Sequence, residues 1–147
     1  MISSLDELAG QEWRFTPANM GAHLSQGEWV SAPHLELLST KWVETAFGVN
    51  RRRLAISTPP RHGKTEHGLH WAPLWCLDLF PKRSFAMVMF GAEVAQQWSR
   101  KLRDTVDMNP ADLRVQIRKD SRRMSHMQTT KQGNIYALGV GGQLTSR

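Results

Sequence analysis

The spacing of apolar residues predicts helices and strands in alternation along the first half of the chain. An apolar stripe with steps of three and four residues follows Pro33 and predicts an amphipathic helix that ends at Gly48. A short apolar run then predicts a strand at 54–58. Residues 64–79 have helical spacing again, with Pro73 placed to kink the helix.

The second half of the chain continues the alternation and ends in a β-rich stretch. A continuous apolar run at 85–90 is typical of a strand buried on both faces of a parallel sheet, and a helix is predicted at 92–106. A short strand at 113–117 and a β-hairpin near 124–140 complete the predicted elements. Because helices alternate with strands, we expect an α/β fold with three layers around a mostly parallel sheet.

The residues between the first predicted strand and the helix after it have the composition of a phosphate-binding loop. Positions 58–65 read Thr-Pro-Pro-Arg-His-Gly-Lys-Thr. In such a loop Gly63 lets the backbone approach a phosphate, Lys64 reaches the β- and γ-phosphates, and the Thr65 hydroxyl ligates Mg²⁺. Thr58 replaces the first glycine of the usual motif and two prolines follow it, so a surface turn that contains Gly-Lys-Thr by chance is the alternative.

Composition limits the class of protein. The chain has 147 residues, of which 40% are hydrophobic and 22% charged, and this suits one globular domain with its own core. No apolar run approaches the roughly 20 residues of a membrane span, and no export signal is visible at the N-terminus. The single cysteine, Cys76, excludes an internal disulfide, and its apolar neighbours predict a buried structural thiol.

Charge is distributed unevenly along the chain. The formal net charge is +6, yet residues 1–50 carry six acidic and two basic side chains. The densest basic segment is 100–123, with eight basic and four acidic side chains. Such a segment favours a polyanionic partner, and a solvated face with local ion pairs is an equal alternative.

Four segments of the chain occur together in one known family. They are Pro-His-Leu at 33–35, the run 53–66 that contains Pro-Pro-Arg-His-Gly-Lys-Thr, the segment 89–100 that begins Met-Phe-Gly-Ala-Glu, and the glycine-rich segment 133–145. With these segments the chain resembles the ATPase domain of the large terminase subunit of tailed bacteriophages, for which Pro-Pro-Arg-His-Gly-Lys followed by Ser or Thr is highly specific. The resemblance implies a P-loop NTPase fold, ATP and Mg²⁺ as cofactors, and ATP-driven translocation of viral DNA into the procapsid.

The resemblance also implies roles for individual residues. It places the nucleotide against Pro60, Arg61, His62, Gly63, Lys64 and Thr65, with His34 near the adenine or ribose and Thr65 on Mg²⁺. Lys64 and Arg61 are the expected catalytic residues, because an arginine on the γ-phosphate would stabilise charge that builds in the transition state. Two alternatives stay open, namely Arg61 as a simple phosphate or surface contact and His34 as a helix-start histidine bonded to backbone.

Further expectations concern domain organisation, from the sequence pattern and the resemblance, and partners, from the resemblance. Residues 1–30 are expected to form an N-terminal arm with a short helix near 4–13, and residues 31–147 a partial P-loop ATPase domain. In the family an apolar strand with an acidic pair, and then a nuclease domain, follow the segment that ends near Arg147, so we expect an incomplete catalyst. The implied partners are double-stranded DNA, the portal protein, the small terminase subunit and further copies in a ring, all in the cytoplasm of the bacterial host. The alternatives are another P-loop NTPase such as a helicase, or a non-enzymatic basic DNA-binding fragment.

Overall fold

The chain combines helices with a small sheet. The computed structural model describes residues 10–49 and 53–141. Contacts between residues divide the chain into two compact units, Met1–Trp75 and Cys76–Arg147. The described part of the first unit is helical and irregular, and the second unit contains a four-stranded sheet, so the protein has mixed α and β structure.

The first helices begin and end where their sequence provides the signals. A 3-10 turn at Glu12–Arg14 precedes α1, which spans Pro17–Leu24, and α2 spans Pro33–Phe47. Both α-helices begin with proline, which lacks the N–H that a first helical turn would leave unpaired. Gly48 ends α2 in the left-handed conformation with φ 69°, which confirms the helix predicted there.

The segment expected to be an arm contains a helix that the sequence pattern did not indicate. Most of the helix predicted near 4–13 lies outside the described residues, and α1 follows it at Pro17–Leu24. A Cβ atom on Gly21 in α1 would lie 2.9 Å from the Trp29 ring and 3.0 Å from the Trp71 ring. Glycine at this position therefore lets α1 pack closely against two tryptophans.

The helix predicted over 64–79 is confirmed, with one irregular turn. The segments α3 (Lys64–Glu66), a π-helical turn (His67–Trp71) and α4 (Ala72–Leu79) follow one another without a break. A proline in a helix crowds the carbonyl four residues before it. For Pro73 that carbonyl belongs to Leu69, which lies inside the wider π-helical turn, so this turn accommodates the proline.

The second unit is a sheet with one helix packed on it. Its strands are β1 (Phe85–Met89), β2 (Ile117–Arg123), β3 (His126–Thr129) and β4 (Asn134–Gly139), in the spatial order β1-β4-β3-β2. Helix α5 (Ala92–Met108) packs against β1 and β4. Its buried stripe consists of Ala95, Ser99, Leu102 and Val106.

The prediction of a mostly parallel sheet is wrong. Strands β1 and β4 are parallel, whereas β4 pairs with β3 and β3 with β2 in antiparallel fashion. The hairpin predicted near 124–140 is confirmed, and its short turn permits only an antiparallel pair. The strand expected at 113–117 begins only at Ile117 and runs to Arg123, which adds the second antiparallel pair.

The strand predicted at 54–58 is wrong as well. Residues 53–59 have no regular secondary structure. Leu54 and Ile56 are half-buried while Ala55 and Ser57 are exposed, so the alternation of an extended segment is present without a strand partner among the described residues. Period-two alternation predicts an extended chain, and it does not specify a partner for the backbone.

Two expectations from composition can be compared with the structure. Cys76 is buried, as predicted, and burial raises the pKa of its thiol to about 12, which disfavours the thiolate form. Across residues 10–49 and 53–141, no helix combines the length and apolarity needed to cross a membrane.

Candidate phosphate-binding site

The predicted phosphate loop is a compact turn that leads directly into a helix. The chain turns at Pro60 and Arg61 and bends at His62 and Gly63, and Lys64 is the first helical residue. Arg61 and Gly63 both have left-handed backbones, with φ of 62° and 76°. Only glycine adopts this conformation without strain, so the turn stores strain at Arg61, a position that the sequence did not mark as special.

Gly63 is favoured by its backbone conformation and also has a close neighbour at its Cβ position. A Cβ atom at this position would lie 3.1 Å from Cδ1 of Leu35, in the first turn of α2. The loop therefore packs directly on the start of α2, and a methyl group on Gly63 would require the Leu35 side chain to shift by a few tenths of an ångström.

His34 and His62 fix the path of the loop through backbone carbonyls. The Nε2 atom of His34 lies 2.8 Å from the carbonyl oxygen of His62, and Nδ1 of His62 lies 2.7 Å from that of Pro60. The two imidazole rings meet edge to face at 5.8 Å. His34 thus makes the backbone contact that was its alternative role, and its proximity to adenine or ribose stays a prediction.

A cleft of about 420 Å³ lies along the loop, within the size range of small-ligand sites. Its lining consists of Thr58, Pro59, Pro60, Arg61, Gly63, Lys64, Thr65 and Glu66. Five of the residues expected around a nucleotide are in this set, while His34 and His62 are outside it. The Lys64 ammonium donates a hydrogen bond of 3.4 Å to the Thr58 carbonyl, which holds it across the loop.

The start of the helix presents unpaired donors beside this cleft. Within the described residues no acceptor is found for the N–H groups of Gly63, Lys64 and Thr65, whereas the His67 N–H donates to the Gly63 carbonyl at 2.9 Å. Free N–H groups at a helix start carry partial positive charge and attract anions. Together with the Lys64 ammonium, they make the cleft suited to phosphate.

The donor set also fits Mg²⁺ as a companion of a phosphate ligand. Mg²⁺ keeps several waters and takes its remaining oxygens from one or two protein groups and from phosphates. The Thr65 hydroxyl and the Glu66 carboxylate are oxygen groups at the cleft, and Glu66 is also bonded to Nδ1 of His70 at 2.7 Å. Nowhere in residues 10–49 and 53–141 do three His, Cys, Asp or Glu side chains cluster as a metal site of their own.

A buried polar network lies behind the loop and was not predicted from the sequence. Nε2 of His67 lies 2.7 Å from Oγ of Ser39, and that oxygen accepts the Ala18 N–H at 2.9 Å. Ser39 and His67 are both fully buried, and burial lowers the pKa of His67 from 6.5 to about 4, so the ring is neutral near pH 7. The position of Ser39, four residues after the core residue Leu35, indicates only that Ser39 lies on the buried face of α2, and it does not identify His67 as its partner.

Part of the basic segment 100–123 is neutralised by its own acidic residues. Arg103 pairs with Asp104 at 2.7 Å and Arg118 with Asp120 at 2.5 Å. Arg122 on β2 pairs with Asp107 on α5. These three pairs agree with the alternative of a solvated face with local ion pairs. The other basic side chains of the segment are not part of these pairs.

The chain was compared with known proteins in three ways. Neither protein-family models, nor characterised proteins, nor solved structures give a match.

Proposed function

We propose that the chain binds a nucleoside triphosphate at the loop 58–66, as the ATP-binding part of a phage DNA-packaging terminase large subunit. The observation that carries the proposal is that one cleft is lined by an ammonium group and by three residues whose N–H groups have no acceptor among the described residues. Gly63, Lys64 and Thr65 supply the N–H groups, and Lys64 supplies the charge. A triphosphate is the common small ligand that needs several donors and a cation in one place.

Each loop residue has a distinct task in this proposal. The N–H groups and Lys64 hold the phosphate oxygens. Thr65 and Glu66 supply the protein oxygen atoms that would hold Mg²⁺. Mg²⁺, when bound, screens the negative charge of the phosphates. Arg61 is exposed at the turn and lines the cleft, and in this proposal its guanidinium contacts the terminal phosphate.

The wider assignment rests on the resemblance of four sequence segments to terminases. It includes the three-layer P-loop fold, the motor activity, the DNA, portal and small-subunit partners, and the ring of copies in the host cytoplasm. Strands β1 and β4 are parallel, and α5 lies between them in the sequence. This arrangement supports only the general expectation that helices and parallel strands are combined. The loop geometry supports nucleotide binding most directly, so binding is the property to measure first.

The test is a calorimetric titration of the full chain with ATP in the presence of Mg²⁺. Lys64→Met should weaken binding roughly 10- to 100-fold, since it removes a charged hydrogen-bond donor from the phosphates. Lys131→Met is the matched control, because Lys131 is exposed in the hairpin turn of the other unit and should not affect binding. Thr65→Ser should bind like wild type, and Thr65→Ala should lose the dependence on Mg²⁺. Absence of ATP binding by wild type, or equal binding by Lys64→Met, would overturn the proposal.

A further inference from the structure

We propose that one face of the sheet in the second unit binds single-stranded nucleic acid, with Tyr136 as a stacking platform for a base. The proposal does not depend on nucleotide binding at the loop 58–66, because it rests on residues of β1 to β4 alone. We call this surface the aromatic sheet face. It is formed by Ala86, Arg118, Arg123, His126, Gln128, Asn134 and Tyr136.

Strand alternation and register define the aromatic sheet face. Met127, Ile135 and Ala137 are buried, so their sequence neighbours His126 and Tyr136 point to the opposite side of the sheet. His126 and Tyr136 are half-buried rather than enclosed. This side of the sheet therefore offers partly exposed polar and aromatic groups.

A single row of paired residues crosses the whole sheet at this level. Arg123 on β2 pairs with His126 on β3, His126 pairs with Tyr136 on β4, and Tyr136 pairs with Ala86 on β1. The His126 and Tyr136 rings are stacked, with centroids 4.6 Å apart and planes within 5°. Nε2 of His126 also lies 3.0 Å from Oδ1 of Asn134, which holds the imidazole in this orientation.

The Tyr136 ring has different neighbours on its two sides. His126 covers the ring on the β3 side, and the neighbour on the β1 side is Ala86, an exposed residue with only a methyl group. A planar ring of the size of a base can lie above Ala86 and stack on Tyr136. Base–aromatic stacking of this kind tolerates any sequence, because every base has a flat face.

Positive charge accompanies the platform on the edge strand β2. This strand carries four basic side chains and one acidic side chain, and Arg118 bonds Gln128 of the same face at 3.0 Å. Arg123 is exposed at the end of the row and has no carboxylate partner in the part of the chain that the structure describes. About two strand spacings, roughly 10 Å, separate it from Tyr136. A flat ring with a guanidinium group about 10 Å away fits a nucleotide strand, which carries a base and phosphates, better than it fits an acidic peptide.

The geometry favours single strands over duplex. In a duplex the bases are stacked on one another, so their faces are closed to Tyr136, and only the phosphates could contact the arginines. A single strand offers both groups. Tyr136 should therefore contribute to the binding of a single strand and not to the binding of a duplex.

The test measures binding of a labelled oligothymidylate of about 12 nucleotides by fluorescence anisotropy at low salt. Tyr136→Ala should weaken binding roughly tenfold, while Tyr136→Phe should bind like wild type because it keeps the ring. Arg123→Ala should weaken binding and reduce its salt dependence, whereas Arg100→Ala, an exposed position on α5, is the charge-matched control. A duplex of the same length should bind more weakly and show no effect of Tyr136→Ala.

A second variant tests the proposal if Tyr136→Ala does not fold, and it adds atoms instead of removing them. Ala86→Val fills the space above Ala86 with a side chain that suits an exposed strand position. It should weaken binding by a similar factor while the unfolding temperature stays unchanged. Three results would each overturn the proposal: no binding at low salt, equal binding by Ala86→Val, or equal binding of duplex with the same dependence on Tyr136.

Discussion

The Nε2 atom of His34 donates a hydrogen bond of 2.8 Å to the carbonyl oxygen of His62, a residue 28 positions later in the sequence. His34 lies in the first turn of α2, and His62 lies in the loop that precedes Lys64. Leu35, the next residue of α2, contacts the position where Gly63 has no side chain. The start of α2 is therefore the support on which the candidate phosphate loop is folded.

Replacement of His34 by alanine should weaken ligand binding through the shape of the loop. The change removes one hydrogen bond to the His62 carbonyl, and a bond of this kind contributes about 1 kcal/mol, so the Kd for ATP with Mg²⁺ should rise roughly fivefold. Inorganic tripolyphosphate should lose affinity by the same factor, because it depends on the same loop. The measurement is calorimetric titration with both ligands.

Leu37→Ala is the control for this variant, since Leu37 is exposed on the same helix. A loss confined to ATP, with tripolyphosphate unaffected, would mean that His34 contacts the base or ribose instead of positioning the loop.

Gly63 and Gly68 form a matched pair for a test of the loop backbone. Gly63→Ala places a side chain on a left-handed residue and 3.1 Å from Leu35, so it should abolish detectable ATP binding and lower stability by about 1–2 kcal/mol. Gly68→Ala meets no atom within 4 Å and replaces glycine inside a helix, so it should raise stability by up to about 1 kcal/mol. Chemical denaturation and ATP titration of both variants provide the measurement. Normal ATP affinity in Gly63→Ala would contradict the described loop.

Sequence patterns predicted local structure well where the signal was itself local. The helix Pro33–Phe47 has an apolar stripe, an initial proline and a terminal glycine, and the hairpin has two short runs around one turn. The strand at 54–58 was predicted from a short apolar run alone, and the segment is extended without a partner strand among the described residues. Pairing depends on distant residues, which is also why the direction of the strands in the sheet was missed.

The candidate site shows the same division between local and distant information. Gly63, Lys64 and Thr65 were predicted because their spacing carries the chemistry of phosphate binding, and they line one cleft. The bond between Ser39 and His67 could not be predicted, because it joins residues 28 positions apart that meet only when α2 packs against the helix after the loop. The left-handed backbone of Arg61 was missed for a related reason, since it is imposed by the closure of the turn.

The buried His67 predicts a specific dependence of stability on pH. Its pKa is lowered by burial to about 4, while the unfolded chain has 6.5, so the unfolded state binds more protons between these values. The contribution of neutral His67 to the free energy of unfolding should be fully present above pH 6.5. It should fall by about 3 kcal/mol as the pH drops towards 4. Urea denaturation across this range measures it, and His67→Gln should flatten the curve.

The control for the pH experiment is His23→Gln. His23 is exposed on α1, so this variant should keep the slope of wild type. A slope that survives in His67→Gln would assign the pH dependence to other groups and contradict the role given to the buried imidazole.

Among the glycines of the second unit that the structure describes, Gly133 in the hairpin turn should be the least tolerant of substitution. A Cβ atom there would lie 2.5 Å from the Pro81 carbonyl oxygen and 2.6 Å from that of Arg83, and backbone atoms cannot move aside as a flexible side chain can. The Gly133 N–H also donates to Oγ1 of Thr129 at 2.8 Å, and that hydroxyl donates to the Pro81 carbonyl at 2.7 Å. Gly133→Ala should therefore lower the free energy of unfolding by about 3 kcal/mol, at the upper end of overpacking costs, because the hairpin must leave the segment that it packs against.

Gly91→Ser is the matched control, since nothing lies within 4 Å of its Cβ position and serine is a good cap for α5, so thermal unfolding should show little change or a small gain. Equal unfolding temperatures for Gly133→Ala and wild type would mean that the hairpin does not sit against residues 81–83 in solution.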